Sequence, residues 1–476
     1  PCCGASKSCS CKKASERAGR RIRPARFFVY RVFFPCLFPC FRANTNKNGT
    51  LRIQWREGIC QAAGAREGTT LEKFIKWSCF ITSGCVVIVF IFALYIGTLL
   101  PDTFLVTAGG DIAIAGMPFV RAAAAASTGE VAGLSGGSSY NADLTIAGIV
   151  PVKTVRAQVV ERRVVQVCGT PFGIKMFANG AMVVGFSDIY TSTGYQNPAK
   201  TAGLRMGDVI TSIAGRDTKT NEDVAAALQG LAGAPAEVVY VRDGVEKSVL
   251  LTAVKDSTTD SWRTGMWVRD SSAGIGTLTF VDNTTGTFAG LGHSIHDVDT
   301  GTTISLLKGE IVPVEITGAV AGSAGSPGEL KGRFLTSVPT GTITVNGETG
   351  VYGSVKSYMK GIEAEVALAQ EVNTGDAEII TTIEGQEPKR YTAVIEKIAL
   401  SSDNPNRNMV VRVTDPRLLT ATGGIVQGMS GSPILQDGRL VGAVTHVLVN
   451  DPTRGYGIFA ENMVQSADAA AQREAA

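Results

Sequence analysis

The sequence predicts a mainly β protein with a single membrane-spanning helix near its N-terminus. Three observations carry this. Glycine is abundant, at 55 of 476 residues, and only 18% of the chain is charged, the balance of a turn-rich chain of short strands. Beyond residue 256, runs rich in Val, Ile, Thr and Phe recur between turns, as in Thr277-Leu278-Thr279-Phe280-Val281 and Thr287-Phe288-Ala289-Gly290-Leu291 around Asn283 to Gly286, and this spacing suggests a barrel or sandwich. Trp77 to Leu100 carries no charge and is strongly apolar, and about 20 such residues cross a bilayer.

Charge and cysteine divide the chain into two unlike parts. The whole carries 45 Lys+Arg against 42 Asp+Glu, but residues 1–76 hold 16 basic and 4 acidic residues. The main body is therefore acidic, which argues against a nucleic-acid partner. Nine of the ten cysteines lie at or before Cys85, and Cys168 is the one beyond it. The main body then has no pair for an internal disulfide. Cys168 is its sole thiol and reads as a small buried hydrophobe.

Residues 1–70 form a basic, cysteine-containing segment without sustained periodicity. The chain opens on Pro1, and the natural start is expected near Leu71, so this segment is assigned no function. Residues 71–101 hold the anchor. Lys73 and Lys76 precede the apolar run and Asp102 follows it, which places the front in the cytoplasm and everything after Asp102 outside. No small-residue cleavage site follows at once, Ala113-Ile114-Ala115 being a later alternative, so an uncleaved anchor is expected. Residues 102–150 are rich in Gly, Ala and Ser, as in Ala122 to Ser127 and Ser135 to Ser139, and read as a flexible tether.

Residues 151–255 read as a compact domain. A strand at Met182 to Phe186 is followed by Ala202-Gly203-Leu204-Arg205-Met206-Gly207-Asp208-Val209-Ile210. A helix follows from Asn221 to Leu228, capped by Thr220 or Asn221. Two strands joined at Asp243-Gly244 close the unit. This order is similar to that of bacterial PDZ domains, which bind an extended peptide as an added strand. The resemblance implies peptide-binding backbone at Val183, Val184, Gly185 and Phe186.

Residues 256–476 carry the chemistry. Gly428-Met429-Ser430-Gly431-Ser432-Pro433 leads into a hairpin with its turn at Gln436-Asp437-Gly438. A serine hydroxyl attacks only when a base takes its proton and fixed N–H groups receive the oxyanion. Flanking glycines let the backbone turn tightly enough to aim N–H groups beside the hydroxyl. The stretch resembles the nucleophile segment of trypsin-like serine peptidases, which implies a double β-barrel, oxyanion donors at Gly428 and Ser430, and a substrate-pairing strand at Thr445, His446 and Val447.

The chain holds three histidines, His293, His296 and His446. His293 ends a strand among small neighbours and is the candidate base; His446 follows the hairpin and is a candidate cleft residue. His293 and His296 stand three apart without the spacing of a zinc helix, so no metal and no cofactor are expected. The residues themselves do not choose between Asp297, Asp299 and Asp415 as the group that holds the base.

Taken together, Arg269 to Thr277, Gly292-His293-Ser294-Ile295, Thr414-Asp415-Pro416-Arg417, Gly423 to Ile434 and Val441 to Val447 resemble the stage IV sporulation protein B peptidases of spore-forming bacteria. The likeness runs over about 160–465. It implies a triad of His293, Asp415 and Ser430 in a serine endopeptidase of sporulation signalling, anchored in the forespore membrane with its catalytic domain in the intermembrane space. It implies two partners besides the membrane. One is the chain's own N-terminal segment, which the enzyme cuts. The other is a membrane-bound regulator of the pro-sigma-K processing complex, whose ectodomain it clips. Two other readings compete: a PDZ adaptor with an inert peptidase-like domain, and a generic envelope quality-control protease.

Overall fold

The computed structural model describes residues 43–45, 51–53, 70–124 and 137–475, apart from 298, 302, 304, 305 and 358. The chain falls into two units, Pro1–Phe80 and Ile81–Ala476. In the first, Ala43–Thr45 pairs antiparallel with Leu51–Ile53, and the rest of the basic segment lies outside the described residues. A helix runs over Thr70–Leu99. Its stretch Trp77–Leu99 is long and apolar enough to cross a membrane. At about 1.5 Å per residue it reaches roughly 35 Å. Val86, Ile88, Phe90 and Ile91 stand exposed on it, while Ala93 and Ile96 near its end are buried.

The expected tether is folded. Thr103–Thr107 runs parallel to Val150–Val160, which pairs with Ser139–Ile146, which pairs with Val120–Ala124. Phe104 and Val106, Ala142 and Leu144, and Val155, Ala157 and Val159 point to one face and are buried there with Ile96 and Leu100. Small residues gave the segment the composition of a linker. The alternation of period two, which turns every second side chain to one side, still supplies a core. Only residues 125–136 of this segment lie outside the described residues.

Two β-barrels follow, as the trypsin-like resemblance implied. In the first, Pro171–Phe186, Leu306–Val320, Gly341–Gly347, Gly350–Val355, Thr287–Gly290 and Met266–Asp282 pair in turn, and the last pairs back to the first. Phe172, Ile174, Leu278, Phe288, Ile311 and Val351 fill it. The second is a closed barrel of Gly375–Thr381, Lys389–Ile398, Met409–Val413, Arg454–Phe459, Arg439–Val447 and Pro433–Gln436, packed around Ile379, Ile395, Val411 and Ile434. The predicted hairpin turn holds Asp437 and Gly438 at φ 51° and 77°, the left-handed pair of a two-residue connection.

The chain does not divide at residue 255. Pro171–Phe186 and Met266–Asp282 are long strands, and each has one end in the first barrel and the other in the PDZ unit. Their barrel halves pair from Phe177 with Ser271 to Pro171 with Thr277, and their PDZ halves from Phe186 with Met266 to Met182 with Arg269. The PDZ unit is thus inserted after the first strand of the barrel. Val209–Ile213, the helix Asn221–Leu231 and the hairpin Ala236–Arg242 with Val245–Leu251 complete it. Thr220 caps the helix in a reciprocal box with Asp223. At the crossing from barrel to PDZ unit stands Gly180, at φ 131°, where an added Cβ would meet the Ile210 carbonyl oxygen at 2.5 Å. Only a residue without a side chain lets the two strands pass there.

Candidate active site

Ser430 sits on the loop between the helix Pro416–Thr422 and the hairpin. The first barrel grips this loop. The Thr277 N–H donates to the Ser430 carbonyl at 2.9 Å, its hydroxyl donates to the Gly428 carbonyl at 2.8 Å, and the Thr279 hydroxyl donates to the Gly431 carbonyl. The contact is close enough to require glycine: at Gly431, φ 92°, a Cβ would lie 2.0 Å from the Thr277 carbonyl oxygen.

Two further hydrogen bonds aim the oxyanion donors. A trans peptide sets each N–H opposite the preceding carbonyl. The Gln427 carbonyl accepts from the Leu330 N–H at 2.8 Å, and the Met429 carbonyl accepts from the Ser432 N–H at 2.9 Å. The N–H groups of Gly428 and Ser430 therefore turn the other way. Neither has an acceptor among the described residues, while those of Met429, Gly431 and Ser432 are all used. Two unspent donors flanking a serine hydroxyl suit a tetrahedral oxyanion.

His293 follows Leu291, which has φ 66°, on a sharp turn out of Thr287–Gly290. Its Nδ1 lies 2.8 Å from the Ser294 carbonyl oxygen. A carbonyl only accepts, so Nδ1 carries the proton and Nε2 keeps its lone pair. Burial holds the imidazole below its ordinary pKa, and neighbouring His296 adds to this, so it is neutral at pH 7. The rings of His293 and His446 lie 4.6 Å apart, centre to centre. Burial and the charge of His293 lower His446 to about 4.

Side chains that the sequence did not assign to the site hold the histidine loop. Asn346 accepts from the Ile295 N–H at 2.8 Å and donates to the Ile295 carbonyl at 3.1 Å. Arg269 bridges buried Asp297 at 3.0 Å and Asp299 at 2.7 Å. The other oxygen of Asp297 takes the N–H groups of Asp299 and Thr300 and closes the turn. Asp297 and Asp299 thus shape the loop from below. A lone Asn before a turn, or an Arg beside a serine run, carries no sequence signal for this work.

His293, His296 and His446 line one cleft of about 880 Å³ with Ser430, Gly428, Thr445 and Val447. The structure brings His293 and Ser430 to the same cavity without joining them. The Ser430 hydroxyl donates to the Thr445 carbonyl at 2.7 Å. Asp415 is elsewhere: it caps the helix Pro416–Thr422 and accepts from the Arg417 side chain at 2.7 Å and from the Thr392 N–H at 3.2 Å. The Arg417 guanidinium holds its carboxyl far below the usual range. The expected His293–Asp415 hydrogen bond is not formed, because both of its ends are taken.

The PDZ prediction also needs correcting. Val183, Gly185 and Phe186 pair with Val268, Trp267 and Met266 on one side, and Val183 exchanges hydrogen bonds with Gly207 and Asp208 on the other. Val184 stands in the bulge between them. Val183, bonded on both sides, has no edge left for a peptide, and Gly185 and Phe186 already give one edge to Met266–Asp282. The insertion of the PDZ unit into the barrel puts Met266–Asp282 where the guest strand was expected.

Comparison with known proteins adds three findings. Residues 260–464 match the family model of the SpoIVB peptidase S55, and residues 196–242 match that of a PDZ domain. Among curated proteins, nothing matches this chain. Among solved structures, Rv3671c from M. tuberculosis, crystallised as a serine-to-alanine mutant in an inactive form, is similar over 42% of this chain and 82% of its own, at 14% identity and a TM-score of 0.26.

Proposed function

We propose that this chain, whose residues 260–464 and 196–242 match the SpoIVB peptidase S55 and PDZ family models, is a membrane-anchored serine endopeptidase of sporulation signalling, with Ser430 as its nucleophile and His293 as its base. One observation carries the reading: one cleft presents a serine hydroxyl between two N–H donors together with an imidazole Nε2, none of the three nitrogens having a hydrogen-bond partner among the described residues. Attack needs the Ser430 hydroxyl to leave the Thr445 carbonyl and turn to His293. Nε2 then takes the proton, the N–H groups of Gly428 and Ser430 hold the oxyanion, and His293 returns the proton to the leaving amine. Thr445 to Val447 border the cleft as the strand that receives substrate. Ile425, Val426, Val447 and Val449 line it with aliphatic surface, which favours uncharged side chains next to the cut bond.

The sporulation role rests on the family match and on the apolar helix. We place the helix in the forespore membrane with the barrels in the intermembrane space. There the enzyme clips the ectodomain of a regulator of pro-sigma-K processing and cuts its own N-terminal portion. An extended-substrate cleft does not accept backbone already paired in a sheet, so self-cleavage falls outside the strands between Thr103 and Val160. The test uses the full chain in lipid vesicles, wild type and Ser430→Ala, with new N-termini identified by mass spectrometry. Cuts that vanish in the variant support the reading. Identical fragments from both overturn it, and equal activity on casein and on the sporulation regulator's ectodomain removes the signalling role.

A further inference from the structure

The strand Met266–Asp282 pairs with Pro171–Phe186 from Met266 as far as Thr277, and with other strands only from Leu278 onward. Along Met266 to Gly276 its second edge has no partner strand among the described residues. The direction of its outward groups follows from fixed points at both ends. Thr277 turns its N–H to Ser430 and its carbonyl to Leu291, away from its partner strand. Two-residue alternation then turns Ile275, Ala273 and Ser271 the same way. At the other end Val183 bonds to Gly207 and Asp208, so its opposite number Val268 also faces outward, and Met266 with it. An irregularity between Arg269 and Ser271 joins the two phases. Among the described residues no hydrogen bond is recorded for the outward N–H and C=O groups of Met266, Val268, Ser271, Ala273 and Ile275.

This edge joins two places. At one end it lies beside the PDZ helix, where the Asn221 N–H donates to Asp270. Met266 and Val268 pack on the PDZ core there, and Trp267 is 62% exposed. At the other end Ser271 to Ile275 line the cleft that holds Ser430. We propose that this single edge, from Met266 to Ile275, receives one extended polypeptide substrate along its whole length, so that the PDZ end grips the same strand of substrate that the catalytic end cuts. The proposal rests on the peptidase reading above, because continuity with a peptide-cutting cleft is what identifies the occupant as substrate. Nine steps at about 3.3 Å give a track of roughly 30 Å. A substrate strand has one direction, so the track lies on one side of the cut bond only.

The test uses the full chain and synthetic peptides taken from a casein sequence that it cuts. A six-residue peptide spanning the cut bond is lengthened stepwise, on its N-terminal or its C-terminal side, to 16 residues. The expected result is a gain of about tenfold or more in kcat/KM, carried by KM, on one side only, arriving once the extension reaches about eight to ten residues (the length that the strand spacing sets). N-methylation of the extension at every second residue should abolish the gain, and methylation in the alternate phase should leave it. Equal kcat/KM for the short and long peptides overturns the proposal. So does faster cutting of the short peptide when the extension is added as a separate molecule, since that makes the PDZ end an independent effector site. Affinities measured on Ser430→Ala separate the two levels: tighter binding of the long peptide, with cutting that persists unchanged in Ser430→Ala, keeps the track and removes the peptidase reading, while cutting that needs Ser430 with no tighter binding of the long peptide does the reverse.

Discussion

At the residue scale, the site turns on what each polar atom is already bonded to. Asp415 is the orienting acid that the sequence resemblance implies, yet its oxygens hold Arg417 and Thr392. Asp415→Asn keeps a good helix cap and loses the Arg417 ion pair. The geometry predicts kcat/KM within about tenfold of wild type and a modest fall in melting temperature; a loss near ten-thousandfold with the fold intact, the size expected of a true orienter, would return that role to Asp415. His293 gives a second prediction. It acts only when neutral, and burial and His296 hold its pKa below 6.5. The acid limb of the kcat/KM profile should therefore fall below pH 6.5. Removing the like charge with His296→Ala raises the His293 pKa, so the limb should move to higher pH. An unmoved limb would show that His296 does not act on the base.

At the element scale, the histidine loop and the serine loop are positioned by strands rather than by each other. Thr277 and Thr279 fix the serine loop, and Asn346 with Arg269 fixes the histidine loop. Asn346→Ala removes two hydrogen bonds to the Ile295 backbone, each contributing about 1 kcal/mol. The base then samples more positions, so kcat should fall about tenfold with KM little changed, and Asn346→Asp should not restore it, because a carboxylate cannot donate to the Ile295 carbonyl. A change confined to KM would place Asn346 in substrate binding instead. The element types were legible beforehand: the capped helix at Asn221, the hairpins at Asp243 and Asp437, and the strands after Thr277 all form where turn chemistry and alternation put them. The partners of Val183 to Phe186 were not legible, because an alternating strand looks the same whether its edges meet a guest peptide or a distant part of its own chain.

At the scale of the whole molecule, the PDZ unit and the first barrel share two continuous strands, so neither is a detachable module. A chain cut to residues 256–476 lacks Pro171–Phe186, which closes the first barrel. It should be unfolded by circular dichroism, whereas a chain beginning near 164 should melt cooperatively. A folded 256–476 fragment would refute the shared-strand architecture. A soluble form cut at 102 should also be less stable than one cut near 93, because it loses Ile96 and Leu100 from the small sheet, at about 1.5–3 kcal/mol for each buried side chain.

The sequence by itself determined the apolar helix, the β class, the PDZ-like and peptidase-like segments, and the Gly-x-Ser-Gly loop with its nearby histidines. These are local properties: hydrophobic run length, period two, turn residues and glycines with the freedom they need. Tertiary structure alone decided that Asp415 caps a helix, that Asn346 and Arg269 hold the base, that the alanine-rich stretch folds, and that one strand serves both PDZ unit and cleft. Each depends on which distant group satisfies a buried donor, acceptor or sheet edge, and hydrogen-bonding capacity is written in the sequence while the partner is chosen only when the chain closes on itself.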